Sequence, residues 1–230
     1  MPARRRARRR GRDSLHQGQF VSAGPRIAVL DYGIGNLRSA EKALQHVGAS
    51  ARLVSDVASV EAADAIVLPG VGAFGACARA LRASGLEEPA RAALASGVPF
   101  FGVCVGFQLL YEGSVESPGA AGLGAFAGTV APLPPGVKHP QMQWNTLEVV
   151  GDGDPVPLRG LGPRPWVYFV HSFAPPIGDE TVAVCDYGGS VAALAVRGPL
   201  WGAQFHPEKS GATGLALLAN FVRRAALAPA

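Results

Sequence analysis

The chain has 230 residues, 48% of them hydrophobic, which is enough for one domain of good size with a substantial core. Its net charge of +4 arises in the first 24 residues, which hold seven arginines and one aspartate; the remainder carries −2, so we expect no nucleic-acid binding by the folded part. No apolar run approaches the roughly 18 residues that span a bilayer, and three cysteines without metal-ligand spacing indicate free thiols and no metal.

The domain organisation follows from this charge distribution. Residues 1–24 are predicted to be a disordered Arg-rich N-terminal extension, because seven arginines in this segment are not accompanied by an apolar stretch. Residues 25–228 are predicted to form the single folded domain. With no membrane segment and no secretory signal pattern, we expect a cytoplasmic protein.

In the first half of the domain, apolar runs alternate with helical patterns. Buried strands are predicted at 26–32, 49–54, 65–70 and 98–104, with helices at 36–48, 55–63, 75–84, 86–96 and about 105–112. Near-continuous apolar strands separated by helices are typical of a parallel sheet covered by helices on both faces.

Beyond residue 113 glycine and proline become frequent, and strands follow one another directly. They are predicted at 128–133, 145–150, 166–173, 181–187, 191–198 and 200–207, before a closing helix at 213–226. We therefore predict an α/β fold whose mostly parallel central sheet has an antiparallel or mixed C-terminal extension.

The stretch GVCVG (102–106) places a cysteine between two glycines where a buried strand meets a helix. This is the form of a nucleophile elbow, with Cys104 in place of the usual serine. The glycines permit a strained turn and close packing, and the N-terminus of the following helix would favour the thiolate. Cys104 is the candidate nucleophile, and the alternative is a small apolar side chain at a strand end.

A candidate base lies in QFHPEKSG (204–211), at the end of another predicted strand. His206 would sit at the same edge of the sheet as Cys104, because ligand sites in parallel sheets lie beyond the carboxyl ends of the strands. Glu208 can orient the imidazole and stabilise its protonated form. The pattern His-x-Glu is common on its own and is weak evidence without the cysteine.

The glycine-rich segment LPGVGAFG (68–75) also follows a predicted strand. Beside a cysteine nucleophile, its backbone N–H groups suit an oxyanion hole. A tight strand-to-helix turn and a phosphate cradle are the alternatives, although the lysine of a phosphate-binding loop is missing. The segment DYGIGN (31–36) lacks the third glycine of a dinucleotide fingerprint. We therefore expect no cofactor.

Taken together, GVCVGFQ and FHPE, about 100 residues apart, resemble the nucleophile and histidine–glutamate segments of the class I, triad-type glutamine amidotransferases. The resemblance implies a flavodoxin-like fold and a glutaminase. It implies that Cys104 attacks the side-chain amide of glutamine, that His206 transfers the proton to departing ammonia, and that Glu208 orients His206. It also implies an oxyanion hole from the N–H groups of Val71 and Val105.

A narrower resemblance, to the glutaminase subunits of imidazole glycerol phosphate synthase, covers about residues 26–224 through DYGIGNLRS, PGVGAFG, MQWN, YFVHSF and QFHPEKSG in that order. It implies that ammonia passes to a (β/α)₈-barrel cyclase subunit in a heterodimer of histidine biosynthesis. The residues that it implies for binding glutamine are Gly72, Gln108, Ser172 and Phe173. Those that it implies for facing the partner are Asn36, Met142, Trp144, Tyr168 and Lys209.

The chain departs from that family in PQMQWN (140–145), where Gln141 replaces a histidine and Gln143 a glycine. If the glycine served a positive φ, this departure would alter the loop and the docking of the partner. Three other functions remain open: another ammonia-donating glutaminase such as that of pyridoxal phosphate synthase, a stand-alone γ-glutamyl hydrolase, and a non-catalytic binding protein. The presence of Cys104, His206 and Glu208 together argues against the last.

Overall fold

A computed structural model describes residues 24–151 and 153–227. The predicted N-terminal extension lies outside the described residues except for Gly24. The strands are β1 (Arg26–Leu30), β2 (Ser50–Val54), β3 (Ala65–Gly70), β4 (Phe100–Cys104), β5 (Gly113–Ser114), β6 (Thr129–Pro132), β7 (Gln141–Thr146), β8 (Glu148–Val149), β9 (Trp166–His171), β10 (Phe173–Ala174), β11 (Thr181–Asp186), β12 (Ser190–Arg197) and β13 (Leu200–Ala203).

The helices alternate with strands in the first half of the chain, as predicted. They are α1 (Leu37–His46), α2 (Val57–Glu61), α3 (Phe74–Ala83), α4 (Glu87–Ser96), α5 (Val105–Gln108) and α6 (Gly211–Ala226), with short 3₁₀ turns at Val156–Leu158 and Pro207–Lys209.

The central sheet has eight strands in the order β2-β1-β3-β4-β13-β12-β11-β8. The first five run parallel to one another, and β12, β11 and β8 continue the sheet in antiparallel pairing. Residues of β3, β4 and β13 are buried without alternation, which requires cover on both faces of the sheet. The predicted α/β fold with a mostly parallel sheet and a mixed C-terminal extension is confirmed.

Strand pairing in the second half adds two details that the prediction did not specify. The strand that leads to the histidine, β13, joins the two parts of the sheet, because it pairs in parallel with β4 and antiparallel with β12. Strands β7 and β9 form a separate two-stranded ribbon, and β5, β6 and β10 form a small third sheet. Pairing partners depend on long-range packing, which strand patterns alone do not encode.

Helix α5 ends at Gln108, four residues before the predicted end at about 112. The carbonyl groups of Leu109, Leu110 and Tyr111 accept hydrogen bonds from backbone N–H groups of residues 123, 126 and 124, at 2.6, 2.8 and 3.2 Å. The N–H groups of Leu110 and Tyr111 donate three residues back, to the carbonyl oxygens of Phe107 and Gln108 at 3.0 Å, so the α-helical pattern stops after the bond from the Leu109 N–H to Val105. The dipole behind Cys104 is therefore that of a single helical turn.

Candidate active site

The nucleophile candidate occupies a strained turn between β4 and α5. Cys104 has φ 55°, and within residues 24–151 and 153–227 no other non-glycine residue has a positive φ. A Cβ on Gly106 would lie 1.8 Å from the carbonyl oxygen of Leu68, and one on Gly102 would lie 2.7 Å from the oxygen of Gly106. The two flanking glycines thus allow the close contact that the elbow needs, and the strain holds the cysteine at the strand end.

The histidine and the glutamate meet directly after β13. Nδ1 of His206 lies 2.8 Å from Oε1 of Glu208, and their side chains are 3% and 6% exposed. The other ring nitrogen, Nε2, is buried without a hydrogen-bond partner in the described part of the chain. Burial alone lowers the pKa of His206, but the adjacent Cys104 and Glu208 outweigh it and raise the pKa to about 9.

The Cys104 thiol is enclosed by backbone and side-chain groups of neighbouring elements. Its Sγ lies 3.9 Å from the carbonyl oxygen of Val170 and 3.8 Å from Nε2 of Gln204. His206 lines the same cavity and interacts with Cys104, so the sulfur has a neighbour that can hold its proton and a nearby amide donor. A thiol beside an imidazole that is oriented by a carboxylate is the arrangement required to activate a cysteine nucleophile.

The glycine-rich loop after β3 packs against this elbow. A Cβ on Gly70 would lie 2.6 Å from the amide nitrogen of Gly106, and Gly72 has φ +88°. Val71, between them, and Val105, directly after the cysteine, both line the cavity that contains Cys104. The loop and the start of α5 are therefore in close contact, and both border the cavity that contains Cys104.

A cavity of about 400 Å³ opens at Cys104. Its walls include all four of the residues predicted to bind glutamine, which are Gly72, Gln108, Ser172 and Phe173. Nε2 of Gln108 donates to the carbonyl oxygen of Phe173 at 2.8 Å and to Oε1 of Gln204 at 3.0 Å. Both of its amide hydrogens are thus engaged, and its carbonyl oxygen is the atom left for a ligand.

Glu116 is a cavity residue that the motifs did not identify. It lines the same cavity, and its Oε2 accepts a hydrogen bond from the Phe74 backbone N–H at 2.7 Å. This bond fixes the carboxylate at the start of α3, where it can face the ammonium group of an amino-acid ligand. No short sequence pattern identifies Glu116. It could have been sought only by asking which carboxylate binds the ammonium group of glutamine.

His171, the last residue of β9, is a second cavity residue that no motif identified. It lines the cavity, and its Nδ1 lies 2.9 Å from the carbonyl oxygen of Phe173. Burial lowers the pKa of His171 to about 4, so the ring is neutral at physiological pH. The structure therefore places a neutral imidazole beside a protonated one at His206.

The five predicted partner-facing residues surround the turn that carries the histidine and the glutamate. Met142 and Trp144 on β7 are 61% and 48% exposed, and the rings of Trp144 and Tyr168 pack edge-to-face with centroids 6.1 Å apart. Lys209 and Asn36 are exposed on either side, and Asn36 lines a small cleft together with His206 and Glu208. This partner-facing surface (Asn36, Met142, Trp144, Tyr168 and Lys209) lies directly outside the candidate site.

The two departures from the family pattern fit the β7–β9 ribbon without strain. Gln143 has no positive φ, so the glycine of the pattern is not needed for backbone conformation at this position. It lies on an exposed strand opposite Phe169. Gln141 is fully buried, with Nε2 3.7 Å from Sγ of Cys185. The ribbon therefore keeps regular pairing through residues 141–146.

The described residues contain neither a metal site nor a membrane span. No group of three or more His, Cys, Asp or Glu side chains in this part of the chain could hold a metal ion. None of the helices in the same residues combines the length and the apolar character that crossing a bilayer requires.

Comparison with known proteins gives consistent matches to one family. The family described as "Glutamine amidotransferase class-I" matches residues 28–225. "Imidazole glycerol phosphate synthase subunit HisH" of Deinococcus radiodurans is 49% identical over 214 residues, which cover 91% of this chain and 98% of the relative. The protein of the same description from Methanothermobacter thermautotrophicus is 47% identical, over 85% of this chain and 97% of its own.

Solved structures agree at the level of the fold. A crystal structure of a glutamine amidotransferase matches with a TM-score of 0.69 at 24% identity, over 87% of this chain and 99% of the other. PurLQS from Thermotoga maritima contains a chain that matches with a TM-score of 0.67 at 20% identity, over 87% and 98%. With the family match over residues 28–225 and relatives at 47–49% identity, the chain belongs to the class-I glutamine amidotransferases.

Proposed function

We propose that this chain is the glutaminase subunit of an imidazole glycerol phosphate synthase, and that Cys104, His206 and Glu208 are its catalytic triad. The observation that carries the proposal is the buried 2.8 Å contact between His206 and Glu208 beside a cysteine held in a strained elbow. The relatives at 43–49% identity that bear the HisH description support the choice of synthase.

The first chemical step forms a thioester. Nε2 of His206 holds the proton that it has taken from Cys104, and the deprotonated Sγ attacks the side-chain carbonyl carbon of glutamine. Glu208 stabilises the resulting imidazolium through Nδ1. The oxygen of the tetrahedral intermediate takes the negative charge, and the backbone N–H groups of Val71 and Val105 stabilise it.

Collapse of this intermediate breaks the carbon–nitrogen bond. The departing nitrogen takes the proton from His206 and leaves as ammonia, and the γ-glutamyl group remains on the sulfur. A water molecule then attacks the thioester with His206 as general base. Glutamate leaves and the Cys104 thiol is restored, so that one glutamine and one water yield one glutamate and one ammonia.

The cavity supplies recognition of the amino-acid end of glutamine. The Glu116 carboxylate and the carbonyl oxygen of Gln108 bind the α-ammonium group. The loop at Gly72 and the segment of Ser172 and Phe173 bind the remaining polar groups, largely through the backbone. Cys104 and Glu116 line the same cavity of about 400 Å³, so one ligand could be held at its side-chain amide by Cys104 and at its ammonium group by Glu116.

The ammonia has to be used before it meets bulk water, where protonation would remove its nucleophilic lone pair. The partner-facing surface lies next to His206 and Glu208, so a subunit docked there would receive ammonia directly. We assign this position to the (β/α)₈-barrel cyclase subunit, which uses ammonia to form imidazole glycerol phosphate and an aminoimidazole carboxamide ribotide. Trp144 and Tyr168 are residue types that dominate binding energy at interfaces.

The test is glutamate release from glutamine by the purified chain, alone and together with the cyclase subunit and its nucleotide substrate. Cys104→Ala is the inactive variant, and Cys185→Ala is the matched control, because both cysteines are buried. We expect stimulation by the cyclase in the wild type and in Cys185→Ala, and no release by Cys104→Ala. Cysteine-dependent release that ignores the cyclase would instead indicate another glutaminase or a γ-glutamyl hydrolase.

A further inference from the structure

Two buried side chains that the proposed mechanism does not use contact the glycine-rich loop after β3. The Tyr32 hydroxyl donates to the carbonyl oxygen of Pro69 at 2.6 Å. The Cys77 thiol, on α3, donates to the carbonyl oxygen of Val71 at 3.2 Å. Both side chains are buried, so these contacts are shielded from water.

These two carbonyl groups flank one particular peptide. The Pro69 carbonyl belongs to the peptide before Gly70, and the Val71 carbonyl belongs to the peptide before Gly72. Between them lies the peptide that carries the Val71 N–H, the proposed oxyanion donor. Tyr32 and Cys77 thus hold the peptide on each side of the donor and fix the two Cα atoms about which the donor peptide can rotate.

The loop also depends on Tyr32 for its packing. A Cβ on Gly70 would lie 3.0 Å from the Tyr32 hydroxyl oxygen and 2.6 Å from the amide nitrogen of Gly106. The loop is therefore enclosed between Tyr32 and the start of α5. Glycine at position 70 leaves the loop backbone free to rotate. Contacts from side chains outside the loop are therefore needed to restrict its conformation.

The thiol is suited to act as a donor. Burial raises the pKa of Cys77, although the neighbouring Tyr32 hydroxyl opposes this shift, so the thiol keeps its proton at neutral pH. Burial also raises the pKa of Tyr32. Cys185 offers a contrast: it is equally buried, but its sulfur contacts the side chain of Gln141 and not the loop.

We propose that Cys77, together with Tyr32, is a positioning residue for the reaction: its thiol holds the Val71 carbonyl and thereby aligns the neighbouring Val71 N–H with the developing oxyanion. This proposal rests on the proposed glutaminase function. Neither side chain is among the residues that line the cavity at Cys104. The hydrogen bond of Cys77 restricts the loop, and the loop acts on the transition state.

The variants that test it are Cys77→Ala, which removes the donor, and Cys77→Ser, which restores one. Cys185→Ala is the matched control. In glutamate-release assays with the partner and its nucleotide, we expect Cys77→Ala to lower kcat roughly 3- to 30-fold, because losing an oxyanion donor outright costs roughly 100- to 1,000-fold. KM should change less than about 2-fold, because the contact acts on the transition state and not on glutamine binding.

A merely structural role would lower stability or raise KM and would not lower kcat at nearly constant KM. Cys77→Ser would then not recover kcat. Amide hydrogen exchange over residues 69–77 supplies a readout that needs no activity. We expect faster exchange in Cys77→Ala and wild-type exchange in Cys185→Ala. Unchanged exchange in Cys77→Ala would overturn the inference, whether or not the wild type is active. An inactive wild type would refute the proposed function, which is a separate result. Unchanged kcat in Cys77→Ala of an active enzyme would overturn the inference alone.

Discussion

Replacing Glu208 by glutamine removes one buried charge and leaves the shape of the site nearly intact. Nδ1 of His206 lies 2.8 Å from Oε1 of Glu208, and both side chains are almost fully buried. Glutamine can still accept a hydrogen bond from Nδ1 of His206. The variant therefore isolates what the negative charge contributes to the imidazolium form.

The magnitude follows from the pKa of His206, which is raised from 6.5 to about 9 in the folded protein. A shift of this size corresponds to about 3 kcal/mol of stabilisation of the folded state by the protonated ring. The stabilisation is fully present below the unfolded pKa of 6.5 and is lost as the pH rises through about 9. Cys104 and Glu208 share this effect, so Glu208→Gln should remove about 2 kcal/mol near pH 6 and little near pH 10.

The assay is denaturant unfolding of wild type and Glu208→Gln at a series of pH values from 6 to 10. Glu88→Gln, the same change at an exposed site, is the matched control. An NMR titration of His206 measures the pKa directly and should give a value one to two units lower in the variant, by rough analogy with other buried ion pairs. Glutamine hydrolysis should fall by about 100- to 10,000-fold, as when a triad carboxylate is neutralised.

The reasoning would be refuted if the difference in unfolding free energy between wild type and Glu208→Gln were the same at pH 6 and pH 10. That result would mean that the carboxylate does not stabilise a protonated His206. An unchanged pKa of His206 in the NMR titration would lead to the same conclusion. Either outcome would leave the hydrogen bond as the sole contribution of Glu208.

Two further predictions concern the elbow and the partner-facing surface. Gly106→Ala would bring a Cβ to 1.8 Å from the Leu68 carbonyl oxygen, and should lower the free energy of unfolding by about 3 kcal/mol in thermal or chemical unfolding. The control Gly178→Ala, whose Cβ would have its nearest atom at 3.8 Å, should be neutral. Equal stability of the two variants would contradict the packing argument. Trp144→Ala should weaken binding of the cyclase subunit by about 30-fold or more, as measured by calorimetry. The control is Ile177→Ala, because Ile177 is a comparably exposed apolar residue, and its binding should not change. Unchanged binding by Trp144→Ala would place the interface elsewhere.

The parallel half of the fold was readily predicted from the sequence. The strand at 65–70 has the predicted bounds, and the other early strands and helices differ by at most two residues at either end, except α5, which ends four residues early. Apolar runs of five or six residues that are buried on both faces are distinctive, because only a covered parallel sheet requires them. The family resemblance, carried by the segments around Cys104 and His206, is confirmed by the family match over residues 28–225.

The candidate site was predicted where a local rule applies. Glycines around Cys104 indicated an elbow, and the positive φ at Cys104 agrees with it. Glu116 and His171 follow no such rule, because they enter the cavity from a loop and from the β9 ribbon strand. The predicted catalytic, binding and partner-facing roles stay predictions until the variants are measured.

What the sequence alone determined is local: which segments are strands or helices, where the backbone turns sharply, and which side chains have the chemistry of a triad. The tertiary structure decided which of these meet. Parallel pairing of β13 with β4 brings residues 104 and 206 to one sheet edge, although they are 102 positions apart in the chain. Helix α5 ended after one turn, and the carbonyl groups that follow it, at residues 109–111, bond to the N–H groups of residues 123–126. Both outcomes depend on contacts between distant segments, which form only when the whole core packs, and no local pattern specifies them.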